Sequence, residues 1–239
     1  MSALVLRLAG PLQSWGSRSR FVRRETEQAP TKSGVIGLLA AARGVRRTDE
    51  LTEFFGLRFG VRVDQPGRLV RDFQTARSLD GRQAMPLSYR YYLADAVFLA
   101  VVEGDHALLE GLEHALWHPA FPLYLGRRSC PPAGPISRGL RDGGVDHALQ
   151  AEGWQATAWH QRSVRAPSVR LATVRDARSD QTDAETLRDE PVSFNPARRE
   201  YTWRSVVHGH VEVPNPHAPA SPDSGDAPAD HDPMALLGG

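Results

Sequence analysis

The chain has 239 residues, with 29 lysines and arginines against 28 aspartates and glutamates and a single cysteine. This length allows one large domain or two small ones around a substantial core. Cys130 alone excludes an internal disulfide framework, and the near-neutral balance gives no overall field for nucleic acid or membrane.

Charge is nonetheless uneven: residues 1–47 are strongly basic and acidic residues crowd the C-terminal third, so location counts for more than the total. No repeat of 20–50 residues is present, which excludes a solenoid. The opening "MSALVLRLAG" is too short and interrupted for a signal peptide or a span, and a cytoplasmic protein without membrane contact is expected.

In chain order, "ALVLRL" reads as a buried strand ended by Gly10-Pro11. After a long loop, "SGVIGLLAAARG" is apolar or small around most of its surface and reads as a buried helix, with Thr31 or Ser33 as N-cap and Gly44 as its stop. "DELTEFFG" is a short helical piece, and "LRFGVRV" is a strand closed by the turn "DQPG". "RLVRDFQTARS" is extended; a turn at Asp80-Gly81 then leads into a long strand-like run through "YRYYLADAVFLAVVEG", and the two predict a protruding hairpin. "DHALLEGLEHALWHP" predicts an amphipathic helix with Leu108, Leu109, Leu112 and Leu116 inward, halted before Pro119. This order fits a ferredoxin-like βαββαβ arrangement, one of the sheets on which RNA is bound.

Beyond "YLGRRSCPPAGPISRG" the only helix expected is a short one in "VDHALQAEG". "SVRLATVRD", "PVSF" and "REYTWRSVVHGHVEV" read as strands of a smaller β-rich unit. The expected organisation is therefore residues 1–145 with a hairpin at about 72–92, a β-rich region at 146–213, and a tail at 214–239 whose apolar content cannot offset the entropy of ordering.

Lys32, the chain's one lysine, stands at a helix start, but a phosphate-loop motif needs glycines where Thr26 and Thr31 stand. A helix N-terminus can still hold a single phosphate. His114 and His118 have the spacing of a two-histidine metal site without an evident third ligand, and are read as solvated, as are His208 and His210. Cys130 beside two arginines is a weak candidate nucleophile. Metal-independent RNA cleavage needs only an acid, a base and a cation, and is the leading enzymatic alternative. In "GPLQSWGSRSRF", Gln13 and Ser14 offer hydrogen bonds, Arg18 and Arg20 charge, and Trp15 either a stacking face or a core anchor. In "YLGRRSCPPAGP", a glycine permits close backbone approach and two guanidinium forks follow it.

The segments "LRLAGPLQSWG", "RETEQAPTKSGVIGLLAAARG" and "YLGRRSCPPAGP", in this order and at these separations, resemble the CasD subunits of type I-E CRISPR Cascade complexes. "RDEPVSFNPARREYTWRSV" is similar to that family's C-terminal pattern, so the resemblance covers about residues 3–210. Residues 72–92 are compact where the family often has a longer hairpin, and the tail has no counterpart in it.

The resemblance implies an α+β member of the RAMP superfamily: an RRM-like, ferredoxin-like domain with a hairpin thumb and a smaller β-rich C-terminal part. It implies a non-catalytic subunit that binds the crRNA 5′ handle and caps the backbone-subunit filament beside the large PAM-reading subunit. Target DNA is met through the complex, and neither cofactor nor metal is implied. The alternative is an endoribonuclease that processes precursor crRNA, as in type I-C systems.

RNA contacts are expected from Gln13, Ser14, Trp15, Arg18 and Arg20; from Arg24, Thr31, Lys32, Ser33 and Gly34; and from Arg71 and Arg77 in the hairpin. The loop adds Tyr124, Gly126, Arg127, Arg128, Ser129 and Cys130. A point charge at Lys32 suits a phosphate, whereas the planar forks of Arg127 and Arg128 suit stacking or bidentate contact.

Overall fold

The computed structural model describes residues 1–16 and 23–219. Strand β1 (Ser2–Ala9) is apolar on both faces because both are covered. Leu4, Leu6 and Leu8 face the main core, while Ala3 and Val5 face a second cluster. Each buried leucine or valine among them contributes about 1.5–3 kcal/mol.

After the short strands β2 (Leu12–Gln13) and β3 (Arg23–Arg24) comes helix α1 (Lys32–Arg43), capped by Thr31, whose Oγ1 accepts from the Gly34 amide. It ends at Gly44, whose φ of 88° lets its amide return to the Ala40 and Ala41 carbonyls. Strands β4 (Arg58–Gln65), β5 (Arg68–Gln74), β6 (Ser88–Ala94) and β7 (Val97–Gly104) precede helix α2 (His106–Trp117) and strand β8 (Ser137–Asp142). Antiparallel pairing in the order β4-β7-β1-β8, with α1 and α2 as crossovers, interlocks two βαβ units.

The long run read as one strand is divided at Asp95, the one non-glycine residue with positive φ among those described (57°). Before it, β6 lies in a four-stranded sheet between β2 and β3 and pairs with β5; after it, β7 enters the large sheet. A turn at Ser78–Gly81 closes the β5–β6 hairpin, which exposes Leu69, Phe73, Leu79 and Met85.

Three further strands, β9 (Ser168–Asp176), β10 (Glu185–Ser193) and β11 (Glu200–Pro214), extend the same large sheet past β4, giving β10-β11-β9-β4-β7-β1-β8. The β-rich C-terminal region thus continues the first sheet. Helix α3 (Val145–Ala151) covers its second face, packing Val145, Ala148 and Leu149 on Ala3, Val5, Leu99 and Val101. A helix not expected from the sequence, α4 (Ala158–Ser163), follows it.

The chain stays anchored to Asn215, buried with its Nδ2 donating to the Gln161, Val164 and Ala166 carbonyls. The expected tail therefore begins later than Pro214, and residues 220–239 lie outside those described. No helix among the described residues is long and apolar enough to cross a membrane.

Arg62 and Asp64 form a fully buried pair, with Nε to Oδ1 at 2.7 Å and Nη2 to Oδ2 at 2.8 Å. The remaining guanidinium donors reach the Leu149, Glu152 and Gly153 carbonyls, so the pair pins the chain leaving α3 against β4. Removing one partner strands a buried charge. Arg62→Met is expected to lower unfolding stability by about 3–5 kcal/mol, measured by urea denaturation.

Candidate nucleic-acid interface

The start of α1 is enclosed by carboxylates. The Lys32 amide donates to Asp189 Oδ2 at 2.9 Å, which places an anion at the helix N-terminus from within the chain. The Lys32 Nζ lies 3.1 Å from Asp176 Oδ2 and 2.6 Å from Glu190 Oε2 and is buried. Arg204 completes the network, with contacts at 2.5 Å to both Asp176 and Asp189. Asp176 also accepts from the Phe59 amide on β4 at 2.8 Å.

Beside that network, across α1, opens a cleft of about 610 Å³. Its floor is the small-residue side of α1, Gly34, Gly37 and Ala41, with Thr31, Ser33 and Ser14 at one end. Aromatic side chains of Phe121, Tyr124, Phe194 and Tyr201 line it together with Arg46, Arg47, Arg128 and Arg199. These four arginines are exposed, and none forms an ion pair with a carboxylate among the described residues. Among the described residues no carboxylate lines the cleft.

The loop after α2 forms the wall facing Ser14. The Ser14 amide donates to the Leu125 carbonyl at 3.1 Å, and Leu125 and Cys130 close the loop through a 2.7 Å backbone bond. Gly126 has φ of 89°, and a Cβ there would sit 1.8 Å from the Ser14 carbonyl oxygen. Both conformation and space therefore demand glycine. Arg128 reaches the cleft, whereas the preceding Arg127 donates to the Tyr91, Arg24 and Glu25 carbonyls and stacks on Tyr92 at 4.8 Å.

The profile of the family described as CRISPR-associated protein (Cas_Cas5) matches residues 3–207. The chain belongs to the Cas5 family of CRISPR-associated proteins. It is 37% identical over 161 residues to the CRISPR system Cascade subunit CasD of Escherichia coli (strain K12), an alignment covering 58% of this chain and 70% of that one. A solved Cas protein is similar with a TM-score of 0.70 and 37% identity, covering 92% of this chain and 99% of its own. A chain of a CRISPR RNA-guided surveillance complex is similar with a TM-score of 0.72 and 33% identity, covering 92% and 95%. The mixed α and β architecture, mostly antiparallel with few helices, is that of these Cas structures.

Of the residues expected to touch RNA, Ser14, Trp15, Thr31, Ser33, Gly34, Tyr124, Gly126 and Arg128 converge on the cleft of this Cas5 protein. Several expectations are corrected. Lys32 is neutralised inside the protein by Asp176 and Glu190. Gln13 is fully buried, donating through Nε2 to the Leu8 and Ala96 carbonyls and accepting from Trp15 Nε1. Trp15, 1% exposed, is a core anchor that backs the cleft at Gly34 and presents no stacking face. Cys130 is buried, and desolvation pushes its thiol pKa up despite nearby Arg127. Arg127 serves backbone carbonyls.

Ser129 is exposed beside the cleft wall, its Oγ 3.4 Å from the Tyr92 hydroxyl. Arg24 is exposed on β3, Arg71 lies on the hairpin over Tyr89 at 5.4 Å, and Arg77 lies at an isolated bridge with Ala84. None of these three lines the cleft. Arg18 and Arg20 fall outside the described residues. Sequence reading missed Arg46, Arg47, Arg199 and Tyr201, although the last two lie in the stretch that is similar to the family's C-terminal pattern. The one signal for the arginines is the pairing of adjacent basic residues, Arg46-Arg47 soon after α1 and Arg198-Arg199 directly before β11. Among the described residues no His, Cys, Asp or Glu group could hold a metal ion; the His114 and His118 rings lie 4.7 Å apart on the exposed side of α2.

Lys32→Met is expected to cost about 3 kcal/mol of stability in chemical denaturation and to leave the salt dependence of any RNA binding unchanged. Gly126→Ala is expected to destabilise by more than about 1 kcal/mol and to speed hydrogen exchange at Ser14. Gly134→Ala, where an added Cβ meets nothing within 4 Å, serves as the silent control.

Proposed function

We propose that this protein is the subunit of a Cascade-type CRISPR surveillance complex that binds the 5′ handle of the crRNA in the cleft on α1 and caps the backbone-subunit filament. The carrying observation is the meeting of four arginines, without ion pairs among the described residues, and four aromatic residues over a floor of glycine and alanine. Single-stranded RNA offers unstacked bases to aromatic and guanidinium planes and phosphates to cations. The small residues of α1 let a backbone approach closely. The name of the E. coli relative supports the assembly, and the exposed apolar side chains of the β5–β6 hairpin are the kind of surface that neighbouring subunits cover. Contact with target DNA follows through the complex and its large subunit.

Binding without cleavage is the reading preferred over an endoribonuclease. Cleavage through the 2′-hydroxyl draws on a base that titrates near neutrality, and among the described residues no histidine, lysine or carboxylate lines the cleft. Incubating the protein with repeat RNA in EDTA tests this directly: intact RNA is expected, and site-specific cuts would establish the nuclease. In titrations of labelled handle RNA at several salt concentrations, Arg46→Ala/Arg47→Ala and Arg199→Ala are each expected to weaken binding. Each should also reduce the slope of log K against log salt by about 0.7 for every phosphate no longer neutralised. Unchanged affinity in both variants would remove the cleft as the handle site.

A further inference from the structure

We infer that Arg127 is a positioning residue, a clamp that fixes the hairpin base and the segment 24–27 against the wall of the cleft, and that the handle-binding surface is assembled only when this clamp is closed. The inference rests on the cleft being an RNA site. Adjacent arginines in one loop divide the work: Arg128 faces the cleft, whereas Arg127 faces the opposite way, half-buried and absent from the cleft lining.

Three elements distant in sequence meet at its guanidinium. Nη1 donates to the Tyr91 carbonyl of β6 at 3.2 Å, and Nη2 donates to the Arg24 carbonyl at 2.7 Å and the Glu25 carbonyl at 3.4 Å. Its carbon lies 4.8 Å from the centre of the Tyr92 ring. No carboxylate among the described residues forms an ion pair with it, and its two terminal nitrogens donate to backbone carbonyls of β6, β3 and the residue after β3. The Tyr91 carbonyl also accepts from Ser14 Oγ at 3.1 Å, which ties the same point to the cleft rim. Segment 24–27 is held from its other side, since the Trp15 amide donates to Thr26 Oγ1 at 2.9 Å and the Glu27 amide to the Trp15 carbonyl at 2.6 Å. Opening the clamp would leave this segment tied to the hairpin base only by the two-residue pairing of β3 with Tyr89 and Arg90 on β6, while Trp15 still held its far end.

The geometry requires arginine. A planar fork reaches carbonyls on two chain segments while stacking on a ring, and an ammonium group concentrates its donors at a point. Lysine is thus a poor replacement here, although at a phosphate contact it keeps the charge.

The test compares the full-length parent with Arg127→Ala, Arg127→Lys and Arg128→Ala in titrations of labelled single-stranded handle RNA over a salt series, with hydrogen exchange of the free proteins. Arg127→Ala is expected to lose about tenfold or more in affinity with the parent's salt slope. Arg127→Lys should lose affinity similarly, again without a change of slope. Arg128→Ala should lower the slope by about 0.7. Both Arg127 variants should exchange faster at 24–27 and 89–92, and Arg128→Ala should not. If Arg127→Ala does not fold, Arg127→Lys alone decides, because a contact arginine replaced by lysine would keep most of its affinity. A slope that falls in Arg127→Ala as in Arg128→Ala, or parent-like affinity in both Arg127 variants, would overturn the inference. Failure of the parent to bind handle RNA would instead overturn the functional reading, and unaltered exchange at 24–27 would then independently dismiss the clamp.

Discussion

Lys32 enters the interior with its charge, and four side chains from three strands are arranged around it. Asp176 comes from β9, Asp189 and Glu190 from β10, and Arg204 from β11. Burying one of these charges without the others would cost more than its partner returns, so the set is present whole. Its consequence is mechanical: the strands that extend the large sheet are locked to the first turn of α1 and, through the Phe59 amide, to β4. The turn between β10 and β11, carrying Phe194 and Arg199, is thereby seated over the small-residue side of α1, and the cleft exists because it is seated there.

That arrangement divides cations into two populations. Lys32, Arg62 and Arg204 are consumed by carboxylates inside the protein, and each joins segments far apart in sequence. Arg46, Arg47, Arg128 and Arg199 stand at the cleft without such partners. Burial and pairing separate the two, and residue type does not. A net charge of +1 conceals a local set of arginines without ion pairs among the described residues, because Asp176, Asp189 and Glu190 are engaged with Lys32 and Arg204 and none of them lines the cleft.

Glycine has a comparable role on the backbone side. Gly126 lets the loop wall lie against Ser14, and Gly34 lets α1 lie against the Trp15 ring, where an added Cβ would meet ring carbon at 2.8 Å. Segments separated by more than a hundred residues in the sequence thus reach contact distance where the cleft is formed.

Local chemistry fixed much of this in advance. The cap at Thr31, the left-handed stop at Gly44, the covered strand in "ALVLRL", the hairpin turn near Asp80-Gly81 and the succession of strands and helices all follow from spacing and turn residues, which act over a few positions. The motif segments likewise carry the family resemblance in the sequence itself. The destination of each charge was not legible there, because Lys32 meets Asp176 and Glu190 across some 144 residues or more and nothing near "PTKSG" announces them. The same holds for the divergent paths of Arg127 and Arg128, for the sheet change at Asp95, and for Arg46 and Arg199 meeting at one cleft. Those outcomes depend on which surfaces the packed sheet leaves covered, a property of the assembled chain that short-range patterns do not contain.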